Sequence, residues 1–366
     1  MCRRCSCHSH PLSMIVTPHS RDNARNHGAA RISIALCTYN GAPYLREQLE
    51  SLLVQTHSNF EIVAVDDCST DETVTILNEY ALRDARIKVH INPVNLGVKN
   101  NFMGAFEKCT GEYIAPCDQD DIWEPQKLAM LLEHIDRCAL VYCDSALISE
   151  QGQPLNKRIS DLVSMLSTND PGNLLFYNCV SGHAMLFRRE VLNEVMPFPD
   201  EYLYDWWLAM VAAASGGIRF VDHPLVKHRW HSNNATGIFR NRTSAKEYKP
   251  GYRLDLLRAV GNKLEALVAL PGEHQQYIVR LNALWRRREQ QWLSPALAFF
   301  MVCNGRRLYA TLKRATVLFA IRRAIYFMWG IRTKRIANDY AFSASAQKPG
   351  LGMRQKIDVQ KVESKY

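Results

Sequence analysis

The sequence predicts an α/β protein with a doubly wound, mostly parallel sheet and a helical, basic C-terminal extension. Three observations carry that prediction. Between residues 31 and 143, short apolar runs alternate with segments of helical period. Polar or acidic residues follow directly on three of those runs: Thr38, Tyr39 and Asn40; Asp66 and Asp67; and Asp118 to Asp121. Beyond about residue 240 the strand signals fade, and helical patterns rich in Arg and Lys replace them.

The elements follow in order. Residues 32–37 (ISIALC) are apolar and β-branched, as a strand buried on both faces requires. Residues 44–55 change to helical spacing, with Leu45, Leu49, Leu52 and Leu53 on one side. EIVAVDD at 61–67 is a second strand. Ser69 and Thr70 then offer N-caps to a helix over 73–82, with Asp71 and Glu72 in its first turn. A strand at 87–91, a turn at 92–97 and a helix at 100–109 repeat the alternation. The fourth strand, 113–115, runs into CDQDDIW.

A helix over 125–136 and a strand at 139–143 come next, then a polar, loop-rich stretch at 151–175. Residues 184–187 form a strand, and 202–214 a helix stopped by Gly216 and Gly217. Short strands at 218–221 and 225–226 end at HRWHSNN. Strand and helix alternating at this spacing give a parallel sheet. In such sheets ligands bind beyond the carboxyl ends of the strands, so the three polar loops converge on one crevice.

The chain divides into a leader at 1–30, a sheet domain at 31–240 and a helical basic region at 241–366 whose tail is loose from 344. With 366 residues, 47% of them hydrophobic, it can bury a sizeable core. The formal charge of +9 calls for an anionic partner. Between Arg286 and Arg335, twelve basic residues face one acidic residue, Glu289, with aromatic and aliphatic residues between them. No uncharged stretch there approaches the ~20 residues of a membrane span. The pattern suits a helix lying on an anionic membrane surface. Recognised nucleic-acid motifs are absent, so nucleic acid is not the expected partner.

Eleven cysteines lie mostly singly, several within apolar runs, as buried thiols in a reducing compartment do. Cys2, Cys5, Cys7, His8 and His10 have zinc-like spacing, but no second ligand pair closes the site. They read as a disordered leader, or as residues ahead of a start at Met14. No signal peptide is evident, which places the protein in the cytoplasm, peripheral on the inner face of the membrane.

The chemistry concentrates at Asp118-Gln119-Asp120-Asp121. Carboxylates crowded at the end of a buried strand repel one another unless a cation compensates. Two of them one residue apart on a turn can share Mg²⁺ or Mn²⁺, which leave positions for water and phosphate. The alternative is a solvated turn capping the next helix. Asp66 or Asp67 can accept a hydrogen bond from a pyrimidine imide, and Thr38 and Asn40 can hold base or ribose. Asp205 opens a helix whose dipole favours its ionised form by ~0.3–1 kcal/mol. His231 is a candidate for metal or phosphate, or simply a turn residue.

CTYNGAPYLREQLESLLVQT, EIVAVDDCSTDETVTIL, NLGVKNNF and APCDQDDIW resemble, in order, the motifs of the family 2 glycosyltransferases with a GT-A fold. DQDDIW with NCVSGHAMLF and YDWWLAMVAAASGG is similar to the rhamnosyltransferase-like branch. The resemblance runs from about residue 31 to about 237. It implies an inverting, metal-dependent transfer from a UDP- or dTDP-linked sugar to a glycan or lipid-linked acceptor, as in cell-surface polysaccharide synthesis.

Residue by residue, it puts Thr38, Tyr39, Asn40, Asp66, Asp67 and Lys99 at the nucleotide. Asp118 falls at ribose and metal, and Asp120 and His231 at the metal. Asp205 matches the general base. Apart from the resemblance, Gly182 leaves the backbone of the Ser181-Gly182-His183 loop uncovered for an acceptor. Trp206 and Trp207 read as packing residues, one of which can stack on a sugar face. Cys68 replaces a usual glycine, and Cys117 a usual serine. A nucleotidyltransferase would want a Gly-rich basic loop after the first strand, and a dinucleotide enzyme G-x-G-x-x-G. TYNGAPYL supplies neither. A non-catalytic sugar-binding protein would have no need of Asp205 together with the D-x-D pair.

Overall fold

A computed structural model describes residues 30–199, 202–231, 252–270 and 274–329. The leader, the loose tail and the SNN of HRWHSNN lie outside the described residues. The first half alternates as expected: β1 (Ile32–Thr38), α1 (Ala42–Leu53), β2 (Phe60–Asp66), α2 (Thr73–Arg83), β3 (Ile87–Ile91), α3 (Val98–Lys108) and β4 (Tyr113–Cys117). Every residue of β1, β2 and β4 is buried, which is why these strands read as unbroken apolar runs.

A two-residue strand, β5 (Ile122–Trp123), follows, then α4 (Lys127–Ile135), β6 (Leu140–Ser149), β7 (Pro154–Arg158), β8 (Met185–Arg188), α5 (Leu192–Val195), α6 (Tyr204–Ser215) and β9 (Ile218–Trp230). The strand order is β3-β2-β1-β4-β8-β6-β9-β5, with β7 paired to β6. β3, β2, β1 and β4 are mutually parallel, as are β6 and β9. β8 enters antiparallel between β4 and β6.

The sequence suggested two short strands where β9 forms one. Its register against β6 passes from Cys143↔Val221 to Asp144↔Pro224, so Asp222 and His223 are absorbed in a bulge. The bulge also accommodates Pro224, which cannot donate to a regular ladder. The stretch 151–175 is likewise less irregular than expected, since it carries β7 and two short 3-10 turns, Ile159–Asp161 and Pro171–Leu174.

Both faces of the sheet are covered. On one, Leu45, Leu49, Leu77 and Leu131 of α1, α2 and α4 pack against Ile34 and Ile62. On the other, Phe102 and Phe106 of α3 and Trp206 and Trp207 of α6 join Tyr142 and Phe187. The C-terminal helices α7 (Tyr252–Val268), α8 (Gln275–Gln290), α9 (Pro295–Cys303), α10 (Gly305–Leu308) and α11 (Val317–Met328) enter this same core. They do so through Leu257, Leu264, Trp285, Met301 and Phe327.

Residues 171–177 form their seat. Asn173 donates to the Arg307 carbonyl at 3.0 Å, and Arg323 to the Tyr177 hydroxyl at 2.6 Å. The Lys263 ammonium lies 3.3 Å from the Trp206 ring centroid. No described helix is long and apolar enough to cross a membrane.

At the opposite end of the sheet from the polar loops, Glu61 is 1% exposed inside β2. It accepts hydrogen bonds from Arg31, Ser33, Lys88 and Thr110 at 2.6–2.9 Å. Burial alone would raise its pKa. The bonds from Lys88, Thr110 and Ser33 outweigh burial and hold it at about 2. A carboxylate depressed in the folded state stabilises fully above its unfolded value of 4.5, and that stability drains away as pH falls towards 2. Urea titrations between pH 5 and pH 2 should therefore show a decline that Glu61→Gln flattens. An unchanged profile would exclude Glu61 as its source.

Candidate active site

The ends of β1 and β2 are bolted together. Asp66 accepts from the Thr38 hydroxyl at 2.8 Å and from the N–H and hydroxyl of Ser69 at 2.8 and 2.5 Å. Asp67 accepts from the Asn92 amide at 3.0 Å and from the N–H groups of Leu96 and Gly97, both at 2.8 Å. The two carboxylates are 0% and 2% exposed, so each shapes a loop rather than presenting an open oxygen. Asp67 fixes the 92–97 turn that launches α3. Lys99, in the first turn of α3, donates to the Pro199 carbonyl at 3.3 Å.

Ser69 and Thr70 are not the helix caps the sequence suggested. The Ser69 hydroxyl is engaged by Asp66 and by the Asn40 N–H, and the Thr70 N–H donates to the Asn40 side chain at 2.8 Å. α2 starts at Thr73 as expected, and the Thr73 N–H donates to Asp71 at 3.0 Å. Two loop residues take positive φ, Asn40 at 47° and Cys68 at 64°. Asn tolerates that conformation, whereas the Cβ of cysteine crowds the following carbonyl. Cys68→Gly is expected to stabilise the protein by about 0.5–1 kcal/mol, the strain relieved exceeding the entropy that glycine adds to the unfolded chain. A lower melting temperature for this variant would refute the strain.

Gln119 joins the acidic turn to the end of β1. Its side chain accepts from the Tyr39 N–H at 2.8 Å and donates to the Tyr39 carbonyl at 3.0 Å. A Cβ on Gly41 would fall 2.1 Å from the Gln119 carbonyl oxygen, so glycine there gives Gln119 its place. Tyr39 itself is 48% exposed, with its ring outside the core.

Within the turn the three aspartates have different surroundings. Asp118 is the most open, its side chain 37% exposed. Asp120 is largely buried, with Oδ2 2.8 Å from His231 Nε2. Burial, opposed by His231 and reinforced by the charges of Asp121 and Asp118, raises its pKa. The His231 ring stacks on Tyr44 at 5.0 Å. Arg229 braces the turn from beneath, its Nε donating to the Asp120 carbonyl at 2.9 Å and its backbone N–H to Asp121 at 3.1 Å.

Asp121 is fully buried, with Oδ1 2.8 Å from His228 Nδ1. Burial would raise its pKa, but His228 and His183 together hold it well below the ordinary range. Burial would equally lower His228, and Asp121 reverses this, to about 9. His183, expected beside the acceptor, faces these acids instead. Its Nδ1 is 3.6 Å from Asp121 and 3.8 Å from Asp118, and its Nε2 is 3.0 Å from the Ser145 hydroxyl. Buried Lys127 donates to its carbonyl at 2.6 Å.

Asp205 opens α6, its Oδ1 accepting from the Trp206 N–H at 2.7 Å. Next to it, Tyr204 stacks on Phe102 at 4.1 Å and touches Gly182, where a Cβ would lie 2.0 Å from the tyrosine oxygen. Burial first, then the charges of Asp118 and Asp205, push the Tyr204 phenol well above its ordinary value. The Tyr204 hydroxyl thus feels both the acidic turn and Asp205. Trp206 is 7% exposed and donates to the Leu174 carbonyl at 2.6 Å, so it is a packing residue, the first of the two roles expected of it.

The structure therefore gathers Asp118, Asp120, His231, His183, Gly182 and the start of α6 about one region. Gln119 ties Tyr39 to it, and Thr38, Asp66 and Asp67 shape the adjoining loops. His228, Arg229 and Lys127 were missed from the sequence, and Asp121 and Gln119 were noted within DQDD without a role of their own. Only the third acid of DQDD and the paired histidines of HRWH offered any signal. Among the described residues, the ligand atoms that come within 4.8 Å of one another belong to Asp121, His183 and His228. Asp118, Asp120 and His231 offer donor types suited to a divalent cation. They supply oxygen donors with one imidazole, and mutual repulsion among crowded acids is what a cation relieves.

Residues 33–196 match the family profile described as Glycosyl transferase family 2. An uncharacterized glycosyltransferase of Nostoc is 32% identical over 238 residues, 60% of this chain and 70% of that one. The putative teichuronic acid biosynthesis glycosyltransferase TuaG of Bacillus subtilis is 36% identical over 130 residues, 35% of this chain and 52% of that one. The crystal structure of S. aureus TarS 1–349 in complex with UDP-GlcNAc superposes with a TM-score of 0.54 at 18% identity, covering 87% of this chain and 91% of that one. At such identity the likeness speaks for the fold alone, a GT-A arrangement with a helical C-terminal extension. With its core motifs, sheet order and a relative of this similarity in agreement, the chain belongs to glycosyl transferase family 2.

Proposed function

We propose that this glycosyltransferase moves a sugar from a nucleoside-diphosphate donor, UDP- or dTDP-linked, to a glycan or lipid-linked acceptor with inversion at the anomeric carbon. The observation that carries the reading is the acidic turn after β4, where Asp120 Oδ2 lies 2.8 Å from His231 Nε2 and the Asp118 side chain stays 37% exposed.

Asp118, Asp120 and His231 would hold Mg²⁺ or Mn²⁺. The ion supplies Lewis-acid neutralisation of charge on the departing diphosphate. The exposed Tyr39 ring, the backbone of the 92–97 turn and Thr38 shape the nucleotide end of the crevice. Asp205 accepts the proton of the acceptor hydroxyl as its oxygen bonds to the anomeric carbon. The bond from that carbon to the phosphate oxygen breaks on the opposite face. Gly182 keeps the 181–183 turn close to the start of α6 and so shapes the acceptor side.

The basic C-terminal helices support a peripheral place on an anionic membrane. Phe299, Leu318, Ile325 and Trp329 are exposed there among Arg306, Arg314 and Arg322. The DQDDIW, NCVSGHAMLF and YDWW segments make a dTDP-linked deoxysugar such as rhamnose the first donor to try.

The test is a donor-hydrolysis screen across UDP-, GDP- and dTDP-sugars with Mg²⁺, Mn²⁺ or EDTA. Release of nucleoside diphosphate from one donor class, dependent on the ion, is expected. Equal turnover in EDTA would remove the metal from the reading, and no turnover of any donor would remove the donor class.

A further inference from the structure

Behind the Asp118–Asp120 pair lies a group of side chains that sugar transfer does not use. Asp121 comes from the acidic turn, His183 from the turn ahead of β8, and His228 from β9. Each offers one ligand atom, and the three atoms lie within 4.8 Å of one another. All three side chains are enclosed, with exposures of 0%, 6% and 13%.

Two further features point into the middle of this group. Asp121 Oδ2 is buried and has no hydrogen-bond partner, although a buried carboxylate oxygen normally finds a donor. The two imidazoles stack 4.3 Å apart and 9° from parallel beside that carboxylate. His183 is also oriented from behind. Ser145 is at 3.0 Å from its Nε2, which leaves Nδ1 towards Asp121, and Lys127 holds its carbonyl. A partner on the remote ring nitrogen is how proteins orient a ligating histidine.

We propose that Asp121, His183 and His228 form a second cation site adjoining Asp118, Asp120 and His231, with His183 Nδ1 3.8 Å from Asp118. It takes a nitrogen-tolerant divalent ion of the Zn²⁺ class. Two imidazoles and one carboxylate are a donor set that zinc accepts readily, whereas Mg²⁺ prefers oxygen and retained water. The ion clamps the acidic turn, the 181–183 turn and β9 at one point. Its role is structural, and it stands whether or not the donor assignment above is correct.

The test counts bound zinc on the full chain carrying Cys2→Ser, Cys5→Ser and Cys7→Ser, which removes the leader thiols as competing ligands. Protein stripped with chelator is dialysed against Zn²⁺ in a large excess of Mg²⁺, and bound zinc is measured by plasma mass spectrometry. One magnesium-resistant zinc per chain is expected. It should persist in Asp120→Asn and disappear in His183→Asn and in His228→Asn, while adding Zn²⁺ raises the melting temperature of the parent alone by several degrees. If a histidine variant does not fold, the parent and Asp120→Asn still decide the matter. No retained zinc in the parent overturns the site, as does a zinc that Asp120→Asn removes or that both histidine variants keep. Donor hydrolysis on the same samples reports separately on the transfer reading.

Discussion

Asp205→Asn is expected to lower the rate of sugar transfer about 1,000-fold, the middle of the range for removing a general base. Donor affinity should stay within about twofold of wild type, since no nucleotide contact is assigned to this side chain. Asparagine keeps the size of aspartate, and its carbonyl oxygen can still accept from the Trp206 N–H as Asp205 does at 2.7 Å. The start of α6 therefore keeps its shape while proton acceptance is lost. Single-turnover transfer and equilibrium donor binding, measured on the same preparation, separate the two effects. Turnover like wild type would remove Asp205 from the chemistry, and a matching loss of donor binding would make it a structural residue.

Asp120→Asn should act on the other half of the reaction. In Mg²⁺ or Mn²⁺, donor affinity is expected to fall about 100-fold, the scale of losing an important metal contact. In EDTA the variant and the wild type should bind donor equally weakly. The reason lies in the charge balance of the turn. Asp120 is a buried carboxylate beside Asp118 and Asp121, and His231 is the neighbour that offsets them. Removing its charge eases the repulsion within the turn but withdraws a ligand oxygen from the ion. The folded protein should therefore be no less stable while its metal-dependent binding collapses. Calorimetric titration of donor with and without the ion reads this directly, and an unaltered affinity in metal would refute the assignment.

Much of the fold could be read because β1, β2 and β4 are buried on both faces. An apolar run such as residues 32–37 then has few alternatives, and β3 falls at the residues expected, Ile87–Ile91. Long-range pairing could not be read. β8 slips antiparallel between β4 and β6, a choice made by partners distant in sequence. β5 has two residues, too few to show a period. Asp222, His223 and Pro224 look like the end of a strand, yet β9 carries them through in a bulge.

The site divides in the same way. Asp118, Asp120, His231 and Asp205 stood out because charge beside a strand end or at a helix start is conspicuous in one dimension. The Asp121–His228 pair spans 107 residues, and nothing local announces it. Asp66 and Asp67 were visible as acids, but their partners are hydroxyls and backbone N–H groups contributed by separate loops. His183 was expected at the acceptor because Gly182 leaves its loop uncovered, and Trp206 reads as a packing residue that can stack on a sugar. The fold turns one towards buried acids and the other into the apolar interior.

The way α7 and α11 rest on residues 171–177 and on Trp206 has a consequence for engineering. A cut near residue 285 would strip away α9 and α11 and uncover the apolar surface of Phe176 and Tyr177, on which Tyr309 and Phe327 rest. A shortened version would thus lose packing on 171–177, the segment whose Leu174 carbonyl accepts from the Trp206 indole of α6. Chimeras that exchange tails between relatives should carry the 171–177 segment along with the helices it supports.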